Sequence, residues 1–234
     1  MSESANNQVY VVAGRQPWNR RVFDETIRRY PGEWHFVGTP EEMTLELMHR
    51  LRPRYIFFLH WSNIVPQELL EAFESVCFHM TDVPFGRGGS PLQNLIARGH
   101  RSTRITALRM TSELDAGPVY FKEDLCLAGS AEEIYIRATQ VSAGMILRII
   151  RDNPQPTPQS GAVVAFKRRK PSDSEIPETT SLQELYDFVR MLDADGYPRA
   201  FISHRGYRYE FGRVALKDGR IVADVTITRL EEQP

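Results

Sequence analysis

His79 and Cys77 stand two residues apart in the apolar run Val76 to Met80, and a strand there turns both side chains to one face. An imidazole, with an unperturbed pKa near ~6.5, gives and takes protons near neutrality. Asp115 lies in the turn Leu114-Asp115-Ala116-Gly117, and a carboxylate brought to an imidazole holds its ring and favours its charged form. A fold that brought the two together would have a proton relay. Spacing alone leaves the plainer readings open: a hydrogen-bonded core histidine and an ordinary turn aspartate. His60 and Trp61 end another apolar run, and Gly86-Arg87-Gly88-Gly89 can form either a simple turn or a nest of converging N–H groups. No G-x-G-x-x-G follows the first apolar run and no G-x-x-x-x-G-K-[ST] occurs, which argues against dinucleotide and P-loop sites.

These residues need a scaffold, and the apolar pattern supplies one. Val9 to Ala13 reads as a strand followed by a helix over Asn19 to Arg29. Trp34 to Val37 precedes a helix over Pro40 to Leu51 with Thr39 as N-cap, Arg54 to His60 precedes Pro66 to Phe73, and Val76 to Met80 is the fourth strand. Alternation of this kind predicts an α/β, doubly wound, mostly parallel sheet, with ligands bound outside the carboxyl ends of the strands. Past Met80 the reading is a Gly/Pro loop over 81–91, a helix over Leu92 to Arg98, strands over Arg104 to Met110 and Val119 to Leu127, and a helix over Ala131 to Arg151 capped by Ser130. Pro154, Pro156 and Pro158 make 153–160 an extended linker. It separates a catalytic domain over 1–152 from a small C-terminal β-rich region over 161–234. That region reads as a strand over Ala162 to Phe166, a helix near Ser181 to Leu192, and strands around Arg199 to Ser203, Tyr207 to Arg213 and Ile221 to Thr228, with a hairpin turn at Lys217-Asp218-Gly219.

The 234 residues are 41% hydrophobic and 25% charged, with 29 Lys and Arg against 30 Asp and Glu. This is ordinary globular composition, and it creates no overall basic field toward nucleic acid or lipid. Cys77 and Cys126 are the two cysteines, which leaves no disulfide framework or zinc spacing. No apolar run approaches the ~20 residues of a membrane helix, and Met1 to Gln8 is polar. The expected compartment is the cytoplasm.

The stretch Phe78-His79-Met80-Thr81-Asp82-Val83-Pro84, then Gly86-Arg87-Gly88-Gly89-Ser90-Pro91-Leu92-Gln93, Ile105 to Met110 and Leu114-Asp115-Ala116-Gly117-Pro118-Val119, resembles the formyltransferases that use 10-formyltetrahydrofolate. The resemblance runs in order and spacing through roughly residues 8 to 150. It implies a Rossmann-like formyltransferase core, 10-formyltetrahydrofolate as co-substrate, no metal, and a catalytic trio of Asn, His and Asp. His79 and Asp115 fill two of those places. Cys77 stands in the slot of the asparagine, and a thiol is a weak donor to an oxyanion. By the same resemblance, folate is expected against Ser62, Asn63, Ile64, Val65 and Pro66, against Thr81, Asp82, Val83 and Pro84, and against Arg87, Gly88, Leu114 and Asp115. The segment Phe166 to Ile176 is similar to the one that opens the C-terminal region of sugar N-formyltransferases, so the implied acceptor is a primary amine on a nucleotide-linked amino sugar. The alternatives are methionyl-tRNA, a peptide-synthetase-type aminoacyl group, or a catalytically impaired folate binder. No membrane and no nucleic acid partner is expected, and analogy suggests a homodimer through the C-terminal strands.

Overall fold

In the computed structural model, which describes residues 8–230, contacts divide the chain into two units that are not colinear with it. The first comprises residues up to 88, 103–125 and 136–165; the second comprises 89–102, 126–135 and 166 onward. The Pro-rich segment 153–160 belongs to the first.

The first unit is built on a six-stranded sheet of β1 (Val9–Ala13), β2 (Glu33–Val37), β3 (Tyr55–Phe58), β4 (Ser75–His79), β6 (Ser102–Arg109) and β7 (Val119–Cys126), in the order β2-β1-β3-β4-β6-β7. The pairs β1–β2, β1–β3 and β3–β4 are parallel and β4–β6 is antiparallel. Side-chain alternation gives the central strands β1 and β3 two apolar faces. Val11, Ala13, Ile56 and Phe58 pack with Met48 of α2 (Leu45–Leu51) and Leu69 of α3 (Gln67–Ala72). Opposite them, Tyr10 stacks on Trp34 and Phe57 on Phe78, while Phe23 of α1 (Pro17–Glu25) meets Phe36. Burial of each such side chain is worth ~1.5–3 kcal/mol, which makes this double layer the rigid base of the strand ends. No helix among the described residues is long and apolar enough to cross a membrane.

Element boundaries shift from the sequence reading for local reasons. The first helix begins at Pro17, whose fixed φ suits the first helical position, and ends at Glu25 before a 3-10 turn at Ile27–Arg29. The second helix starts at Leu45 rather than Pro40. Thr44 is its N-cap, with its side chain accepting from Leu47 N–H at 3.1 Å, whereas Thr39 closes only an isolated turn at 3.4 Å. Thr44→Ala is therefore expected to cost ~1 kcal/mol in denaturant unfolding, and Thr39→Ala to stay within the ~0.5 kcal/mol of a surface change. The loop after β4 contains a strand, β5 (Phe85–Gly88), paired with β8 (Val164–Phe166). That pairing is long-range, and four residues with two glycines carry no periodicity to announce it.

In the second unit, α4 (Pro91–Ala97), α6 (Leu182–Arg190) and the antiparallel sheet β9 (Ala200–His204), β10 (Tyr207–Lys217) and β11 (Arg220–Arg229) pack together. The buried Gln93 side chain donates to Tyr135 Oη and Met191 O. Asp218 and Gly219 form the two-residue hairpin, both at positive φ, as the primed turns of hairpins require. The helix α5 (Ala131–Asp152), whose residues 131–135 belong to the second unit and the rest to the first, is opened by a reciprocal cap between Ser130 and Glu133.

Candidate active site

β4 delivers His79 to its carboxyl end with 9% of the side chain exposed. Nε2 lies 2.8 Å from Gly86 O; a carbonyl only accepts, so Nε2 carries a proton. This leaves Nδ1 facing Asp115 Oδ2 at 3.5 Å. At that separation the two form an electrostatic contact rather than a closed hydrogen bond, so a proton on Nδ1 can be redirected to a third group. Asp115 is itself 11% exposed, and its Oδ2 accepts from Gly88 N–H at 2.9 Å. Its backbone is left-handed at φ +51°, a conformation aspartate and asparagine tolerate better than most residues. The glycine-rich stretch works in both directions here: Gly86 offers a carbonyl to the imidazole and Gly88 an N–H to the carboxylate.

The turn carrying Asp115 is held from several sides. Gly117 permits its close approach to β6, because a Cβ there would lie 1.7 Å from Arg109 O. Gln159 donates to Asp115 O at 2.8 Å and to Gly117 O at 2.9 Å. Nothing in the sequence singled out Gln159 for this role; the one hint was its place at the end of a stiff Pro-rich segment. Gly86 O was equally hidden, because a backbone carbonyl leaves no residue signature, whereas the glycine-rich stretch had already offered its N–H groups as a nest.

His79, Asp115, Arg87, Gly88 and Thr81 are thus brought together, but not all face outward. Thr81 is fully buried, its hydroxyl donating to Gly86 O at 3.2 Å and its carbonyl accepting from Thr106 at 2.7 Å. Val83 and Val65 are core residues, 1% and 7% exposed. Asp82 is paired with Lys122, which also donates to Val83 O, and the Val83–Pro84 bond is cis. Asn63 accepts from Arg15 at 3.1 Å, and Ser62 and Pro66 are exposed. Ile64 and Leu114 project as apolar tips, 97% and 70% exposed. Trp61 Nε1, by contrast, is buried without a hydrogen-bond partner. Beside the turn, Leu70, Met110, Pro118, Gln67 and Arg109 help line a cavity of about 330 Å³ that reaches Thr111 and Ser112 but not His79 or Asp115.

Cys77 is part-buried, and burial together with the Asp115 charge pushes its thiol far up. It stays protonated, neither nucleophile nor strong donor. Cys77→Ser is expected to alter turnover less than the ~5-fold equivalent of an ordinary neutral hydrogen bond of ~1 kcal/mol. A loss of a hundredfold in steady-state rate would give the thiol a role that the geometry does not.

The fold is thus a mostly parallel sheet with an imidazole at the carboxyl end of β4 and, 3.5 Å away, a carboxylate held in the turn between β6 and β7. The family model described as the methionyl-tRNA formyltransferase C-terminal domain matches residues 171–228. A solved structure of methionyl-tRNA formyltransferase from Clostridium thermocellum superposes with a TM-score of 0.89 and 43% identity, covering 95% of this chain and 99% of that one. Among curated sequences, the methionyl-tRNA formyltransferase of Corynebacterium urealyticum is 28% identical over 196 residues, 77% of this chain and 59% of the relative. This chain therefore spans little more than half the length of the curated relatives it matches. HypX from Aquifex aeolicus, solved in complex with tetrahydrofolic acid, shares the fold at a TM-score of 0.68 and 18% identity, covering 92% of this chain and 40% of that one. The chain belongs to the formyltransferase family.

Proposed function

We propose that this protein transfers the formyl group of 10-formyltetrahydrofolate to a primary amine, and that the amine is the aminoacyl group of methionyl-tRNA. The observation that carries the transfer is the His79–Asp115 pair, with Asp115 Oδ2 fixed by Gly88 N–H and Nδ1 of His79 not closed into a hydrogen bond. The acceptor reading rests on the 43% identical relative that matches nearly end to end. It replaces the amino-sugar nucleotide suggested by residues 166–176, and the expectation of no nucleic acid partner goes with it. The exposed cations Lys167, Arg168 and Lys170 supply phosphate contacts in this reading.

The residues present suit a folate. Ile64 and Leu114 offer apolar surface to a flat ring, and Trp61 Nε1 is a buried donor still lacking an acceptor. When bound, 10-formyltetrahydrofolate supplies the electrophilic formyl carbon. His79, held by Gly86 O, presents a proton on Nδ1 where negative charge develops on the formyl oxygen. Asp115 balances the imidazolium and takes up the proton lost by the attacking amine, directly or through water, and that proton passes to the tetrahydrofolate nitrogen as its bond to the formyl carbon breaks. Cys77 contributes little to the oxyanion, so backbone N–H groups and His79 bear that load.

The test is to offer the purified protein 10-formyltetrahydrofolate with methionyl-tRNA or with a panel of nucleotide-linked amino sugars. Formyl-methionyl-tRNA should accumulate with release of tetrahydrofolate, and tRNA binding should weaken steeply with salt. Consumption driven by an amino sugar and not by charged tRNA would overturn the acceptor assignment; consumption with neither would overturn the transfer itself.

A further inference from the structure

We infer that Gln159, in the Pro-rich segment remote in sequence from every residue of the pair, is a positioning residue that sets the Asp115 carboxylate against His79; this rests on the transfer reading above. Its amide is used completely. Oε1 accepts from Arg87 Nε at 3.1 Å and from Arg87 Nη2 at 2.9 Å. Nε2 donates to Asp115 O at 2.8 Å and Gly117 O at 2.9 Å, which are the two donors an amide nitrogen has. Arg87 also reaches Glu113 at 3.5 Å, so the turn is gripped at its start by Arg87 and at Asp115 and Gly117 by Gln159.

The connections close a ring. Arg87 neighbours Gly88, whose N–H holds Asp115 Oδ2, and Gln159 links the Arg87 side chain back to the Asp115 main chain. Asp115 must stay left-handed, a conformation that persists only when surrounding contacts enforce it. Gln159 is well placed to enforce it. Thr157 exchanges both backbone hydrogen bonds with Val119, at 2.7 and 2.8 Å, and flanking prolines limit the segment to extended backbone. Gln159 touches neither imidazole nor carboxylate oxygen, so its effect on turnover passes through Asp115.

Gln159→Glu separates the two ends of the amide. It keeps, and strengthens, the acceptor for Arg87 while losing both donors and setting a carboxylate against two carbonyl oxygens. Single-turnover rates should be measured for Gln159→Glu and Gln159→Ala, each alone and combined with Asp115→Asn. Both single variants should lose ~100-fold, the scale of a misplacement of about 1 Å, and should cost little more once Asp115 is already asparagine, because residues acting as one unit are not additive. Wild-type rates in Gln159→Glu, or the same fold-loss in both backgrounds, would overturn the inference. Amide exchange read by NMR gives a second test that needs no substrate. Gly88 N–H should exchange at least tenfold faster in Gln159→Glu with the β1 and β3 amides unchanged; unaltered Gly88 exchange would also overturn the inference. If Asp115→Asn turns over as fast as the wild type, the transfer reading fails instead, and Gly88 exchange still decides whether Gln159 holds the turn.

Discussion

Asp115→Asn is expected to lower the transfer rate by ~10²–10⁴, the range of general acid–base contributions, while leaving the melting temperature within a degree or two of the wild type. Asparagine is the gentlest probe available at this position. It tolerates the left-handed backbone Asp115 occupies at φ +51°, and its amide oxygen can still accept from Gly88 N–H, now 2.9 Å from Asp115 Oδ2. What it cannot do is balance an imidazolium or receive a proton. With the amide oxygen in the Oδ2 place, the atom facing Nδ1 of His79 at 3.5 Å is neutral, so the charged ring loses its counter-charge and Nε2–H stays on Gly86 O. A pre-steady-state measurement of formyl transfer, paired with a thermal melt, separates lost chemistry from lost structure. A rate within tenfold of wild type would remove Asp115 from the mechanism.

Gly117→Ala should harm both fold and activity. A Cβ at this position falls 1.7 Å from Arg109 O and 3.0 Å from Arg109 C, where backbone rather than a flexible side chain must give way. Arg109 N–H also bonds Pro118 O at 2.9 Å, so the clash opens the connection between β6 and β7 at its closing hydrogen bond. Overpacking in a fixed core typically costs ~1–3 kcal/mol; with no rotamer available for relief, the upper end is expected in a urea titration. The displaced turn takes Asp115 with it, and ~100-fold in turnover should follow. If the variant melted and turned over like the wild type, the packing of the turn on β6 would be wrong.

The strand–helix alternation was legible because buried parallel strands are near-continuous apolar runs and their helices keep a helical period. His79 and Asp115 stood out through residue type and resemblance, and the fold brings them within 3.5 Å. Helix starts were harder. Thr39-Pro40 and Thr44 offer similar capping chemistry in sequence, and the choice of Thr44 depends on where the chain leaves β2 to pack Met48 under the sheet. β5 was invisible because a strand with glycines at alternate positions exists only through its distant partner. The expected folate contacts divided by burial: Val65, Val83 and Thr81 are needed by the core, so ligand contact there falls to backbone groups or to exposed neighbours such as Ile64 and Leu114. Gln159 and Lys122 escaped notice because a lone polar residue gains meaning only from the groups that the fold sets around it.

The most direct test of the central claim is a crystal structure of the protein with tetrahydrofolate. The account predicts that the folate nitrogen which bears the formyl group sits beside the His79–Asp115 pair, with room for a formyl carbon about 3–3.5 Å from an approaching amine. Its pterin should lie against the Ser62–Pro66 and Thr81–Pro84 segments. Folate bound away from His79, or an imidazole and carboxylate that part when it binds, would contradict the account.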